Sequence, residues 1–68
     1  MAKLMLAMNL DGTAFCDPLT GEPNVQHRDI LVNQILCQIG GDIEKYHPDG
    51  ADINDPNGNR IGRYEITE

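Results

Sequence analysis

Leu4, Leu6, Met8 and Leu10 alternate with Met5, Ala7 and Asn9. That period of two predicts a strand over residues 3–10. The turn dipeptide Asp11-Gly12 closes it. Residues 13–23 hold two prolines and a glycine with no sustained period, which reads as a loop whose lone Phe15 tucks under the core. The period then changes. Leu31, Val32, Ile35, Leu36, Ile39 and Ile43 repeat at three- and four-residue steps, one face of a helix. Asn24 is its expected N-cap, with a side-chain oxygen able to take up a free N–H of the first turn. Gly40-Gly41 interrupts the composition but not the period, since Ile43 continues it. A helix from about 25 to 45 that tolerates or bends at the pair is favoured over one that stops at Gly40.

His47-Pro48-Asp49-Gly50 is a break and a turn. A short strand over 51–55 follows. Then comes Pro56-Asn57-Gly58-Asn59, in which Asn-Gly suits a tight hairpin because both residues tolerate positive φ. Residues 60–67 form the returning strand, with Ile61, Tyr64 and Ile66 as its large apolar groups. Ile61 has the opposite parity to the other two. Either a bulge lies near Gly62 or Ile61 sits on the far face of the sheet.

The order β-α-β-β predicts an α+β fold: one domain over residues 1–68, with one helix on a three-stranded antiparallel sheet. The last strand is the most strand-like and belongs in the middle, giving the order 1-3-2. Leu4, Leu6, Met8, Ile53, Tyr64 and Ile66 are expected to meet the helix stripe. Met5, Ala7, Ile61, Arg63, Glu65 and Thr67 are left on an open face, which with two exposed edges invites association, including homodimerisation. The bland counterpart is a solvated sheet face.

Length and charge then narrow the function. Sixty-eight residues leave no room for repeated βαβ cofactor folds. The longest apolar run, Leu4 to Met8, is far short of a membrane span, and Asn9 and Asp11 close it before a cleavage-type segment. This reads as a soluble cytoplasmic chain. The net charge of -6 and five scattered basic residues disfavour binding to a nucleic-acid backbone or an anionic membrane. Acid is concentrated: Asp42, Glu44, Asp49, Asp52 and Asp55 stand against Lys45 alone. That stretch is either a partner-binding surface, at the extreme a mimic of nucleic-acid phosphates, or the solvated end of the helix and its loop.

Candidate chemistry changes the picture little. The run Asn9-Leu10-Asp11-Gly12-Thr13 resembles the first motif of haloacid-dehalogenase-type phosphotransferases, D-x-D-G-T. Here Asn9 replaces the nucleophilic aspartate, and a neutral amide cannot form the aspartyl-phosphate. Residues 52–59 fit no register of an EF-hand loop, because Pro56, Arg60 or Ile53 falls where a ligand or glycine is needed. Cys16, His27, Cys37 and His47 lie about ten apart, against two to five within the ligand pairs of structural zinc sites. Two isolated cysteines do not make the dense disulfide set of a small secreted domain. Cys37, near the stripe, is expected to be buried and inert. We expect no enzyme activity, no metal and no cofactor.

Residues 55–66, Asp-Pro-Asn-Gly-Asn-Arg-Ile-Gly-Arg-Tyr-Glu-Ile, carry a pattern D-x-N-G-N-x-I/V-G-x-W/Y-E-I/L/V. It resembles the C-terminal pattern of small proteins encoded by phages, prophages and related mobile elements. A looser likeness takes in Asp11-Gly12-Thr13, His27-Arg28-Asp29 and the Ile-Leu stripe. This chain departs from the pattern at Gly40-Gly41 and in its longer proline-containing loop. The resemblance implies a βαββ fold and a mobile-element setting. Small acidic proteins of that setting often act by binding a host protein, with inhibitors of bacterial defence systems such as anti-CRISPR proteins as the best-known class. The expected function is therefore non-enzymatic binding of a host protein. The expected surface comprises Asp42, Glu44, Asp49, Asp52 and Asp55 together with Arg60, Arg63 and Glu65. Two alternatives stand beside it: a homo-oligomeric sponge for a small nucleotide or signalling molecule, using Arg60 and Arg63, and a small structural or assembly component.

Overall fold

Alternation and helical period each produce the element they specify. In the computed structural model, which describes residues 1–68, β1 spans Lys3–Met8, α1 Val25–Tyr46, β2 Gly50–Asn54 and β3 Arg60–Thr67. The sheet is antiparallel throughout with β3 in the centre, order β1-β3-β2. This is the α+β arrangement the pattern predicts.

Helix α1 begins where Asn24 caps it: the Asn24 side chain accepts the His27 N–H at 3.1 Å. It runs without interruption through Gly40-Gly41, so the alternative stop at Gly40 is not taken. It ends at His47, whose left-handed backbone (φ 51, ψ 48) turns its N–H onto the Ile43 carbonyl at 3.0 Å. Pro48 follows and cannot extend the helix.

The ladders fix which groups face where. Leu6 pairs with Tyr64 and Leu4 with Ile66, while Ala51 also pairs with Tyr64. Paired residues share a face, so these lie on the helix side. Met5, Ala7, Asp52, Arg63, Glu65 and Thr67 lie on the other. Against β2 the register slips: Ile53 pairs with Gly62, but Asn54 pairs with Arg60. Ile61 is thus an extra residue in β3, and it packs at the edge of the core. The parity conflict is resolved by the bulge, and Ile61 leaves the open face on which the pattern also allowed it.

The core is small. Ile39, Ile53 and Tyr64 are its buried centre, with Leu6, Met8, Ile35, Ile43, Ala51 and Ile61 packed around it. Leu4, expected inside, is 54% exposed, and Leu36 of the stripe is 44% exposed. The reason is length. A helix of 22 residues runs about 33 Å, whereas strands of five to eight residues span about 17–27 Å. The sheet can cover only the second half of α1.

The first half is covered by a device that periodicity did not predict. A 3-10 turn at Thr13–Phe15 sets Phe15 into the fold at 2% exposure, but outside the Ile39–Ile53–Tyr64 cluster. His27 Nε2 donates to the Ala14 carbonyl at 3.2 Å and ties this turn to the start of α1. Residues 16–23 close through a bridge between Cys16 and Pro23. Inside that loop Asp17 accepts the Leu19 N–H at 2.8 Å and the Asn24 amide at 3.2 Å. The same Asn24 side chain therefore caps the helix and braces the loop. Strand β1 ends two residues earlier than its alternation suggests, because Asn9 Oδ1 accepts the Asp11 N–H at 2.8 Å and turns the chain. No helix is long and apolar enough to cross a membrane.

Candidate functional site

The outer face of the sheet has nothing from this chain upon it. Its centre is Arg63 on β3. Across the ladder lies Asp52 of β2, its register partner. Arg63 Nη1 reaches Asp52 Oδ1 at 3.3 Å, and its Nε reaches Glu65 Oε1 at 3.3 Å. Arg60 Nε meets the same Asp52 oxygen at 3.1 Å. The strand periodicity puts Arg63 and Glu65 on one face two residues apart, and the antiparallel register brings Asp52 opposite. Glu65 first, then Asp52, holds the Arg63 guanidinium above its ordinary pKa, so its charge is fixed. All four side chains are about half exposed, and such pairs add little to stability. What they create is a net-neutral ladder of alternating sign, bordered on the β1 side by Met5 and Ala7.

The eight residues singled out from the sequence are thus divided. Asp52, Arg60, Arg63 and Glu65 come together on the outer face. Asp55 does not join them. It is only 8% exposed, and its Oδ1 accepts the N–H groups of Asn57 and Asn59, each at 2.9 Å. It is the residue that holds the hairpin turn, whose Gly58 takes φ +85. Its burial overturns the expectation of a partner-facing carboxylate at that position. The signal was present in the sequence, since an aspartate two residues before a turn amide is the ordinary Asx-turn arrangement. Asp42, Glu44 and Asp49 remain as a separate acidic corner at the end of α1. Asp42 is half-buried there and the other two are exposed.

Cys16 and Cys37 are free thiols. Cys37 is exposed, contrary to expectation. Two helical steps put it 200° round the helix from Ile39, so it faces solvent. His27 is engaged with the Ala14 carbonyl and His47 forms the C-cap. No three of the His, Cys, Asp and Glu side chains gather as metal ligands would. The more enclosed cavities measure about 170, 150 and 210 Å³, below the roughly 300 Å³ at which small-molecule pockets begin. The largest of these three lies between the hairpin turn and Gln34 and Gln38 of α1.

These features define a small α+β domain whose uncovered surface is a sheet face of mixed charge. Set against protein-family models, curated proteins and solved structures, the chain matches none.

Proposed function

We propose that this chain is a non-enzymatic protein-binding module, and that its partner is a host protein inhibited or modulated by a phage-type element. The observation that carries the reading is the outer sheet face. It is uncovered, lies on a three-stranded antiparallel sheet, and joins the Arg60–Asp52–Arg63–Glu65 ladder to Met5. Arginine and methionine are enriched at protein interfaces, and a fixed sequence of charges selects partners by complementarity. The likeness of residues 55–66 to phage-encoded proteins argues in the same direction. Arg60 and Arg63 are already neutralised by carboxylates, which weakens the sponge alternative.

The test is affinity capture with the tagged full chain from a bacterial host lysate, with native mass spectrometry of the eluate. Wild type is expected to retain a stoichiometric protein that Arg63→Ala loses. Failure to retain any such protein, or equal retention by Arg63→Ala, overturns the assignment of this face. A co-purifying small anion in place of a protein supports the sponge instead.

A further inference from the structure

Strand β1 has one side bonded and one side free. The Asn9 N–H donates to the Ile61 carbonyl at 2.7 Å, in the same register that pairs Lys3 with Thr67 and Ala7 with Arg63. In an antiparallel ladder, bonded and non-bonded pairs alternate. The odd residues of β1 therefore bond β3, and the N–H and C=O groups of Leu4, Leu6 and Met8 point away from it. This free edge belongs to the sequence Lys-Leu-Met-Leu-Ala-Met, which has no proline, glycine, bulge or acid, and whose one charge, Lys3, stands at its first residue and leaves Leu4 to Met8 unguarded. Natural sheets usually blunt such an edge. The opposite edge is blunted: β2 is short, carries Asp52 and ends on the bulge.

The molecule also exposes more surface than its mass warrants. A compact 7.5 kDa protein exposes about 4,250 Å² on the usual scaling, and this chain exposes 5153 Å². That excess of about 900 Å² is spread along an elongated molecule of 44 × 19 × 18 Å, and Leu19, Val25, Ile30 and Tyr46 carry part of it away from β1. Its radius of gyration is 13.2 Å, against about 11 Å for a compact domain of this length. Part of the excess apolar surface borders β1: Leu4 is 54% and Met5 61% exposed. Leu36 lies on the flank of α1 opposite Gln38 and Asp42, the flank that faces β2.

We propose that a second copy of this chain covers the edge, with the two β1 strands pairing antiparallel about a two-fold axis at Leu6. That register bonds Leu6 to its own copy and Leu4 to Met8 in both directions, and so uses every free backbone group of the strand. It places Leu4, Leu6 and Met8 beside their counterparts on the helix side, and Met5 beside Ala7 on the outer side, which preserves the alternation. Lys3 falls opposite Asn9, so no like charges meet. The first ten residues contain no acid, and two chains of net charge -6 can approach there with least repulsion. The result is one six-stranded sheet, β2-β3-β1-β1-β3-β2, with both helices on one side and a doubled outer face. The contact is self-complementary and closes at two. It stands whatever protein the outer face binds.

Native mass spectrometry and sedimentation of the full chain test it. The expected species is a dimer. Leu4→Lys and Leu4→Pro, both at an exposed edge position, are expected to yield folded monomers by circular dichroism. Ile30→Lys, on the solvent side of α1, is expected to remain dimeric. Hydrogen exchange on the unmodified protein gives a readout that no folding defect can confuse: the amides of Leu4, Leu6 and Met8 should be protected as well as those of Met5 and Ala7. A monomer at all concentrations, an assembly larger than two, loss of the dimer in Ile30→Lys but not in Leu4→Lys, or free exchange of those three amides each overturns the proposal.

Discussion

Replacing Gly62 with alanine tests the sheet at its tightest point. A Cβ at Gly62 would run into the Ala7 carbonyl oxygen and would stand 2.6 Å from Met8 Cα and 2.8 Å from Met8 Cβ. The first two obstacles are backbone, so no rotamer change relieves them. Either β1 moves off β3 or the bulge at Ile61 migrates. Forced shifts of this kind cost about 3 kcal/mol at the upper end of overpacking effects. Restriction of the unfolded chain by alanine offsets about 0.5–1 kcal/mol. The net loss is about 2 kcal/mol, out of a total that for 68 residues is on the order of 3–10 kcal/mol. In a domain of this size that lowers Tm by roughly 8–16 °C. Calorimetry or thermal circular dichroism reads it, with both proteins at one fixed concentration because self-association raises Tm with concentration. A Gly62→Ala protein that melts at or above wild type would refute the close approach of β1 and β3 and the register built on it.

Gly40 and Gly41 give the opposite sign. A Cβ at either meets nothing within 4 Å, so Gly40→Ala and Gly41→Ala should each raise stability by about 0.5–1 kcal/mol in urea melts. A loss at either position would mean that the helix does not continue there. Asp55→Ala removes the acceptor for two turn amides and should cost about 2 kcal/mol, with Asp55→Asn falling between it and wild type by the same assay. An unchanged Asp55→Ala would leave that carboxylate free for a partner after all. Asp17 has its pKa lowered by the Leu19 N–H and then by the Asn24 amide. A depressed folded pKa means that its contribution is complete above the ordinary value of 3.8 and is lost as pH falls through the lower, folded one. A carboxyl NMR titration should place its midpoint below 3.8, and a midpoint at or above that value contradicts the bracing of the 16–23 loop.

Most of the architecture was legible because period and turn chemistry agree locally. The Asn24 cap, the stripe through Ile43, the Asn57-Gly58 hairpin and the alternation in β1 each specify one element. Together they allow only the 1-3-2 order once every neighbour is antiparallel. The parity of Ile61 allowed either a bulge or the far face, and the register shows the bulge. What periodicity could not reveal is where cover ends. It marks Leu36 as apolar and on the stripe, but not that a 22-residue helix outruns an eight-residue strand. The burial of Phe15 was legible, but not its turn's hold on α1, which passes through His27 and a carbonyl, a contact between residues thirteen apart with no repeating pattern. Alternation made Arg63 and Glu65 legible as open-face residues, but the acidic members of the candidate site were legible only by composition. Counting acids joined Asp55 to Asp52, although one holds a turn and the other an ion ladder. Two helical steps from Ile39 would have placed Cys37 outside.

The acidic corner that remains poses a sharper question than the net charge did. The C-terminal end of a helix carries a partial negative charge, and cations are favoured there. Lys45 conforms, but Asp42 and Glu44 sit in the last turns of α1 and oppose the dipole. Neither makes a salt bridge, whereas Asp29, Asp52 and Glu65 do. On folding grounds alone both are misplaced. Neutralising them as Asp42→Asn and Glu44→Gln should stabilise the protein by about 0.3–1 kcal/mol together at low ionic strength, and the gain should shrink in salt. Urea melts at two salt concentrations measure this. A loss of stability would show that the carboxylates serve the fold, and the corner would drop out as a docking surface. A gain would leave their presence unexplained by folding, and the same double variant, with Asp49→Asn added, then becomes the one to carry into the capture experiment beside Arg63→Ala.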